Sequence, residues 1–292
     1  MKHKWKWLTV LVISIVSLII IVPMLWHNQS HSNHTVKSKY KMETTPTLFL
    51  HGYSGSLNSE KFLVQSARNA GATKNIIKAL VDRDGQVTLK GTYHKKASNP
   101  IVMVEFERNK HTDFRDLSKW LKQVLVSLQN EYDIKDFNMV AHSMGNITLS
   151  YYLLNYGDDP SLPKLKKQVS IAGPFNGVMA FDGDPRAAEF DADGKPKLST
   201  PVYEDLLYLR TRYPNKQVDV LNVFGDVEDG SKSDERVTNA SSMSLKYLVQ
   251  DRAKSYQSYK VTGPDGQHSQ LHESDDVANK MIQFLWEKAT NK

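Results

Sequence analysis

The stretch from Asp136 to Leu154 constrains the fold more than any other, because it changes from an apolar run to a helical pattern at one serine. The apolar run ends on Ala141-His-Ser-Met-Gly145, and the helical pattern starts directly after it. We therefore predict a strand, a sharp turn that carries Ser143, and a helix. A serine on such a turn projects its hydroxyl away from the backbone. The helix N-terminus behind it offers free N–H groups to a developing negative charge.

Strand-like and helix-like segments alternate through the rest of the chain. The clearest helical pattern runs from Asp113 to Asn130, with apolar residues three or four positions apart. Short apolar runs predict strands at 47–50, 76–81, 86–91, 100–106, 168–174, 217–225 and 258–263. The second and third of these runs are separated by a turn and predict a hairpin. The alternation predicts an α/β fold with a mostly parallel sheet and helices on both faces.

Composition limits the classes of protein and site. The 292 residues suffice for one sizeable domain plus an appendage. The chain has no cysteine, so disulfides, cysteine nucleophiles and thiolate metal sites are excluded. The net charge is +6, but no basic stripe interleaved with aromatic residues indicates nucleic-acid binding. A mildly basic solvated surface explains the charge, and attraction to an anionic membrane or envelope polymer also fits it.

The N-terminal residues 1–26 predict a membrane anchor. Three lysines precede an uncharged segment from Trp7 to Trp26, long enough as a helix, at about 1.5 Å per residue, to cross a bilayer. The lysines predict a cytoplasmic N-terminus and a single pass, with residues 27–292 on the extracellular side of the cell membrane. A cleaved signal peptide is the alternative and would give a secreted protein, although residues 27–34 offer no small-residue cleavage site.

Two further segments are less regular. Residues 27–45 are polar and lack apolar periodicity, which predicts a flexible tether before a domain at 46–292. The histidines in this tether have no packed surroundings that would support a metal site. Residues 179–211 contain several glycines and prolines, and we predict a lid-like insertion there, with a plain surface excursion as the alternative.

A glycine-rich loop follows the first predicted strand. His51-Gly-Tyr53 begins this loop, and glycine lets backbone N–H groups turn toward a ligand. The rival interpretation is a phosphate-binding loop, but its G-x-x-x-x-G-K-[ST] pattern is absent.

The serine turn needs two partners for nucleophilic chemistry. A serine hydroxyl is a weak nucleophile at neutral pH, so it requires a base that is itself oriented by a third group. Only His268 and His272 follow Ser143 among the histidines, and an acidic segment at 226–235 lies between. The order Ser, Asp, His is that of the α/β hydrolases.

The chain resembles the α/β hydrolases at these motifs, and among them the small secreted bacterial lipases and the cell-surface hydrolases of Gram-positive bacteria. The resemblance covers about residues 45–292. The motifs that carry it are His51-Gly-Tyr53, Ala141-His-Ser-Met-Gly145, Ser233-Asp-Glu-Arg-Val237 and His268-Ser-Gln-Leu271.

This resemblance implies a role for each candidate site residue. Ser143 would be the nucleophile, and the backbone N–H groups of Tyr53 and Met144 would form the oxyanion hole. His268 would be the base and Asp234 the acid. The alternates are Asp226 as the acid and His272 as the base.

The implied activity is ester hydrolysis through an acyl-enzyme, without a metal or a cofactor. The expected substrate is a small-molecule or lipid ester. The sequence indicates neither the acyl group of that ester nor the oligomeric state of the protein. One alternative is a catalytically silent envelope-binding module with the same fold. A calcium site at residues 226–235 is another, although the spacing does not match an EF-hand.

Overall fold

A computed structural model describes residues 39–179 and 189–288. In this part of the chain the strands are β1 Thr47–Leu50, β2 Ile76–Val81, β3 Val87–Lys90, β4 Ile101–Phe106, β5 Asp136–His142, β6 Lys164–Ile171, β7 Asp219–Asp226 and β8 Ser255–Thr262. They form one eight-stranded sheet in the order β3-β2-β4-β1-β5-β6-β7-β8. Only the β2–β3 pair is antiparallel among these described strands. The predicted mostly parallel sheet is thus confirmed.

The helices cover both faces of this sheet. They are α1 Lys61–Asn69, α2 Phe114–Tyr132, α3 Met144–Tyr156, α4 Pro201–Leu206, α5 Leu209–Arg212, α6 Asn239–Met243, α7 Leu245–Val249 and α8 Asp275–Trp286. Helices α2 and α3 pack into one apolar cluster, and α1 and α8 into another. Strand β1 divides its side chains between the two clusters, since Leu48 and Leu50 face the first and Phe49 faces the second. The α/β class with helices on both faces is therefore confirmed.

The longest helix shows how the sequence defines an element. Asp113 caps the N-terminus of helix α2. Its side chain accepts hydrogen bonds from the backbone N–H groups of Arg115 and Asp116. The helix ends at Asp133, which adopts a left-handed conformation with φ 61°. The apolar residues between these caps face the sheet. The predicted hairpin is also present, as β2 and β3.

Several boundaries differ from the sequence prediction; strand β6, for example, was predicted at 168–174 and lies at Lys164–Ile171. Strand β8 begins at Ser255, three residues before the predicted start, because its first residues pair with β7 at the sheet edge without an apolar pattern. The segment from Asn239 to Val249 forms two short helices, α6 and α7, which meet at Ser244. Short edge elements carry little periodic signal, so such boundaries are hard to predict.

The chain joins the compact unit at Tyr40. Tyr40 is buried, and the N–H of Lys41 donates to the carbonyl of Trp286 at 2.6 Å. Tyr40 and Lys41 precede β1 and lie at the end of the sheet where the parallel strands begin. The predicted anchor at 1–26 and the tether as far as residue 38 lie outside the described residues. Within residues 39–179 and 189–288, no helix combines the length and the apolarity needed to cross a membrane.

Candidate active site

The turn between β5 and α3 holds Ser143 in a strained conformation. Its φ is 50° and its ψ is −123°, a region that residues with a side chain rarely occupy. The N–H of Ser143 donates to the carbonyl of Ile171 at 2.9 Å, which ties the turn to the neighbouring strand β6. The predicted strand, sharp turn and helix are therefore present, with the serine at the turn.

Asn146 supports this turn from beneath. Its side-chain Nδ2 lies 3.0 Å from the carbonyl of Ala141, 3.2 Å from that of Ser143 and 3.0 Å from that of Ile171. Asn146 is fully buried. The sequence analysis missed it, although a polar amide in an otherwise apolar helix start was a usable signal.

His268 lies between Ser143 and Asp234. Its Nε2 is 3.0 Å from Oγ of Ser143, and its Nδ1 is 2.8 Å from Oδ2 of Asp234. An ionised carboxylate only accepts hydrogen bonds, so Nδ1 carries the proton and Nε2 is free to accept one from the serine hydroxyl. Such a chain of contacts can take a proton from a serine and stabilise the resulting imidazolium. The structure thus brings these three predicted residues together.

The loop that carries Asp234 is fixed by its own backbone. Oδ1 of Asp234 accepts from the N–H of Arg236 at 2.9 Å and from that of Val237 at 2.7 Å. The side chain of Asp234 is 1% exposed, so water competes little for its remaining oxygen. That oxygen therefore faces His268 from a fixed position.

Asp226, the alternate acid, has different partners. Its Oδ2 lies 2.7 Å from Nζ of Lys260 and 2.9 Å from Nδ2 of Asn239. The hydrogen bond from Lys260 is the main cause that lowers the pKa of Asp226. The structure therefore brings Asp226 to Lys260 and Asn239, and Asp234 to His268.

His272, the alternate base, lies behind the site. Burial is the main cause that lowers the pKa of His272. Its ring packs edge-on against that of His142, with 4.5 Å between the centroids. His268, not His272, is hydrogen-bonded to Ser143.

The glycine-rich loop lies directly against the serine turn. A Cβ added at Gly52 would lie 2.8 Å from Cβ of Ser143, a separation that real side chains do not reach. A Cβ at Gly145 would come within 2.8 Å of the carbonyl of Leu50. Glycine at both positions therefore permits the close approach of the loop, the turn and the following helix.

His51 fixes the shape of this loop. Its Nδ1 is 2.8 Å from the carbonyl of Gly52, and the N–H of Phe106 donates to its Nε2 at 3.2 Å. Nε2 accepts, so Nδ1 carries the proton and donates to the carbonyl of Gly52. Burial lowers the pKa of His51, which favours this neutral form. Through these contacts His51 shapes the loop by hydrogen bonding.

Tyr53 and Met144 are the residues predicted to form the oxyanion hole. Tyr53 follows Gly52, and Met144 is the first residue of α3, directly after Ser143. The adjoining loop residue Ser54 donates its N–H to the carbonyl of Asn109 at 2.7 Å, which holds the loop to the segment after β4. The part played by the two N–H groups stays a prediction.

The described part of the predicted insertion lies beside the loop that carries Asp234. The N–H of Met179 donates to the carbonyl of Arg236 at 2.8 Å. Asn176, just before the insertion, donates from Nδ2 to the carbonyl of Leu198 at 2.8 Å and accepts from the N–H of Thr200 at 2.9 Å. Residues 180–188 of the predicted lid-like insertion lie outside the described residues.

Metal binding was a further alternative for the acidic loop. Across residues 39–179 and 189–288, no three His, Cys, Asp or Glu side chains are arranged to hold a metal ion. The three histidines of the predicted tether lie outside these ranges.

Comparison with known proteins places this chain in a family. The model of a family described as an alpha/beta hydrolase of unknown function (DUF915) matches residues 34–288. No curated protein sequence matches the chain. The chain is similar to the solved lin2722 gene product of Listeria innocua, with 27% identity, a TM-score of 0.76, and coverage of 86% of this chain and 97% of that one.

A second solved structure has the same fold. It is a protein of Lactobacillus plantarum WCFS1 whose description as a cell surface hydrolase is itself provisional. Identity is 20% and the TM-score is 0.66, over 82% of this chain and 89% of that one. With the family match, the sheet and the serine turn lead to one conclusion: the chain belongs to the DUF915 family of α/β hydrolases.

Proposed function

We propose that this chain is a serine hydrolase that cleaves ester bonds through an acyl-enzyme. The observation that carries the proposal is the unbroken chain of hydrogen bonds from Asp234 through His268 to Ser143, at 2.8 and 3.0 Å. The order and the distances of these contacts support the roles that we assign to the three residues.

In the first step, Nε2 of His268 takes the proton of the Ser143 hydroxyl as Oγ attacks the ester carbonyl carbon. Asp234 holds Nδ1–H and stabilises the imidazolium that forms. The negative charge passes to the former carbonyl oxygen. The N–H groups of Tyr53 and Met144 would stabilise that oxyanion, and loss of one such donor typically costs about 3 to 4 kcal/mol in the transition state.

In the second step, the imidazolium returns its proton to the leaving alkoxide, and the C–O bond of the ester breaks. The acyl group is then bound to Oγ of Ser143. Water attacks this acyl-enzyme while His268 accepts its proton, and collapse of the second oxyanion releases the acid and restores the serine. This sequence needs neither a metal nor a redox cofactor.

The cellular setting that we propose is the extracytoplasmic side of the cell membrane. Two observations support it. The first is the lysine-flanked uncharged segment from Trp7 to Trp26. The second is the provisional description of the similar Lactobacillus plantarum protein as a cell surface hydrolase. A small-molecule or lipid ester from that compartment is the expected substrate.

The test is labelling of the full chain with a fluorophosphonate probe, which reacts with activated serines. We expect labelling of the wild type and loss of labelling in Ser143→Ala. Ser269→Ala is a matched control, because Ser269 is exposed one residue from His268 and should keep full labelling. Absence of labelling in folded wild type would favour the catalytically silent binding module. An ester chain-length series on unlabelled wild-type protein, with Ser143→Ala as the control, would then define the acyl group.

A further inference from the structure

We propose that His142 is a positioning residue, which holds the backbone of His268 by a hydrogen bond from its ring. The inference rests on the proposed function, because it concerns the base of that reaction. It assigns a specific task to the residue between Ala141 and Ser143 in the serine turn.

The hydrogen bond defines the tautomer of His142. Its Nε2 lies 3.0 Å from the carbonyl oxygen of His268, across 126 residues of sequence. A carbonyl oxygen only accepts, so Nε2 of His142 carries the proton and donates it. The two rings lie beside each other, with 4.9 Å between their centroids and 54° between their planes.

His142 is also kept uncharged by its surroundings. It is the last residue of β5 and is 5% exposed. Burial is the main cause that lowers its pKa well below 6.5, and the nearby rings of His268, His272 and His51 lower it further. A neutral ring matters here, because a second cation beside His268 would oppose formation of the imidazolium during the reaction.

Two neighbours fix the orientation of the His142 ring. The ring of His272 packs against it at 75°. The backbone of Gly52 approaches its Nδ1 so closely that a Cβ at Gly52 would lie 3.3 Å away. Nδ1 of His272 has no hydrogen-bond partner among the described residues, so His272 contributes packing on this side. The N–H group at Nε2 of His142 therefore points toward the carbonyl oxygen of His268.

The backbone of His268 is consequently held on both sides. Its N–H donates to the carbonyl of Asp234 at 2.9 Å, and its carbonyl accepts from His142. Loss of the second contact would leave a carbonyl without its partner and free the loop to shift. A displacement of about 1 Å at reacting groups can cost about 100-fold in rate, so the contact bears on catalysis.

The test compares His142→Phe, which keeps a flat ring without a donor, with His142→Gln, whose side-chain amide can donate. We expect kcat to fall about 10- to 100-fold in His142→Phe while KM changes less than about twofold. His142→Gln should recover at least a third of the wild-type kcat. The midpoint of the acid limb of the kcat–pH profile should be unchanged in both, because His142 does not titrate in that range. His94→Phe is the control, since His94 is exposed.

Rates are taken per active site, counted by fluorophosphonate titration, so that loss of folded protein does not enter kcat. Wild-type kcat in His142→Phe, or equal losses in the two variants, would overturn the inference. So would a shifted acid limb, since it would indicate that His142 exchanges protons. Failure of the wild type to label would refute the proposed function itself, whereas a labelled wild type with an unimpaired phenylalanine variant refutes only the positioning role.

Discussion

His268 and Asp234 are joined twice, once through side chains and once through the backbone. Nδ1 of His268 lies 2.8 Å from Oδ2 of Asp234, and the N–H of His268 donates to the carbonyl of Asp234 at 2.9 Å. The two residues are 34 positions apart in sequence. The double contact places the imidazole and orients it at the same time, which leaves Nε2 directed at Ser143.

The first prediction concerns the choice of acid. Asp234→Asn should lower kcat by about 10³- to 10⁴-fold, because a side-chain amide can turn its own N–H groups toward Nδ1 and favour the wrong tautomer of His268. KM should change little, since the carboxylate does not contact the substrate in the proposed mechanism. Steady-state kinetics with a chromogenic short-chain ester measures both constants.

Asp226→Asn is the matched control for this prediction. Asp226 contacts Lys260 and Asn239, so the control should keep kcat within about threefold. It should lower the free energy of unfolding, because Asp226 is buried and its carboxylate pairs with Lys260. An inactive Asp226→Asn beside an active Asp234→Asn would reverse the assignment of the acid.

The serine turn could be predicted from the sequence because its causes are local. An apolar strand, small residues at Ala141 and Gly145, and a helical pattern are adjacent in the chain. Which residue acts as the acid could not be predicted from adjacent sequence features. In its loop, Glu228, Lys232 and Glu235 have positive φ angles of 60°, 54° and 74°. Glu and Lys rarely adopt this conformation, so the sequence does not predict it. This backbone path brings Asp234, not Asp226, to the base.

The contact between His142 and His268 was equally hidden from the sequence. It joins residues 126 positions apart, and it depends on where the loop after β8 returns across the end of β5. A lone histidine beside a serine turn predicts only packing. The strand order, which no local pattern encodes, decides which loops meet there.

The second prediction concerns the support of the serine turn. Asn146→Ala removes the donor that faces three buried carbonyls. Those of Ser143 and Ile171 keep a backbone donor, and each lost hydrogen bond costs about 0.5 to 1.5 kcal/mol. We expect the free energy of unfolding to fall by about 2 to 4 kcal/mol, and the fluorophosphonate labelling rate of the folded fraction to fall as well. Denaturant unfolding and labelling kinetics measure the two effects.

Asn155→Ala provides the comparison on the same helix. Among the described residues, Asn155 makes a single side-chain hydrogen bond, to Oγ of Ser118 at 3.0 Å, and it is exposed. Its loss should cost about 1 kcal/mol or less and leave labelling unchanged. Similar effects of the two substitutions would show that Asn146 has no special part in the turn.

The third prediction tests the close approach of the glycine-rich loop to the serine turn. Gly52→Ala places a methyl group 2.8 Å from Cβ of Ser143 and 3.2 Å from the carbonyl of His142. The loop must then move away from the serine, and we expect kcat to fall about 10- to 100-fold as oxyanion stabilisation is lost. Kinetics with the same ester, together with a melting curve, measures the effect.

Gly71→Ala separates this effect from the general cost of replacing glycine. Gly71 has φ +75°, and a methyl group there meets nothing within 4 Å. The substitution should therefore cost about 1 kcal/mol of stability through backbone strain, with full activity retained. Full activity in Gly52→Ala would contradict the role given to the loop.

The fourth prediction concerns a buried acid outside the site. Glu60 is 1% exposed, neither of its side-chain oxygens has a partner among the described residues, and burial raises its pKa from 4.5 to about 8. Between pH 4.5 and 8 the unfolded chain therefore releases a proton that the folded chain retains. The free energy of unfolding must fall as the pH rises through this window, and the loss is complete above it.

Glu60→Gln removes this titration. The stability of the variant relative to the wild type should rise by roughly 3 kcal/mol between pH 5 and 8, measured by urea unfolding at several pH values. Glu204→Gln is the control, because Glu204 is exposed in α4 and its substitution should shift stability by a nearly constant amount. Parallel pH curves for Glu60→Gln and the wild type would mean that the carboxylate of Glu60 is ionised and solvated in the folded protein, contrary to its burial in the structure.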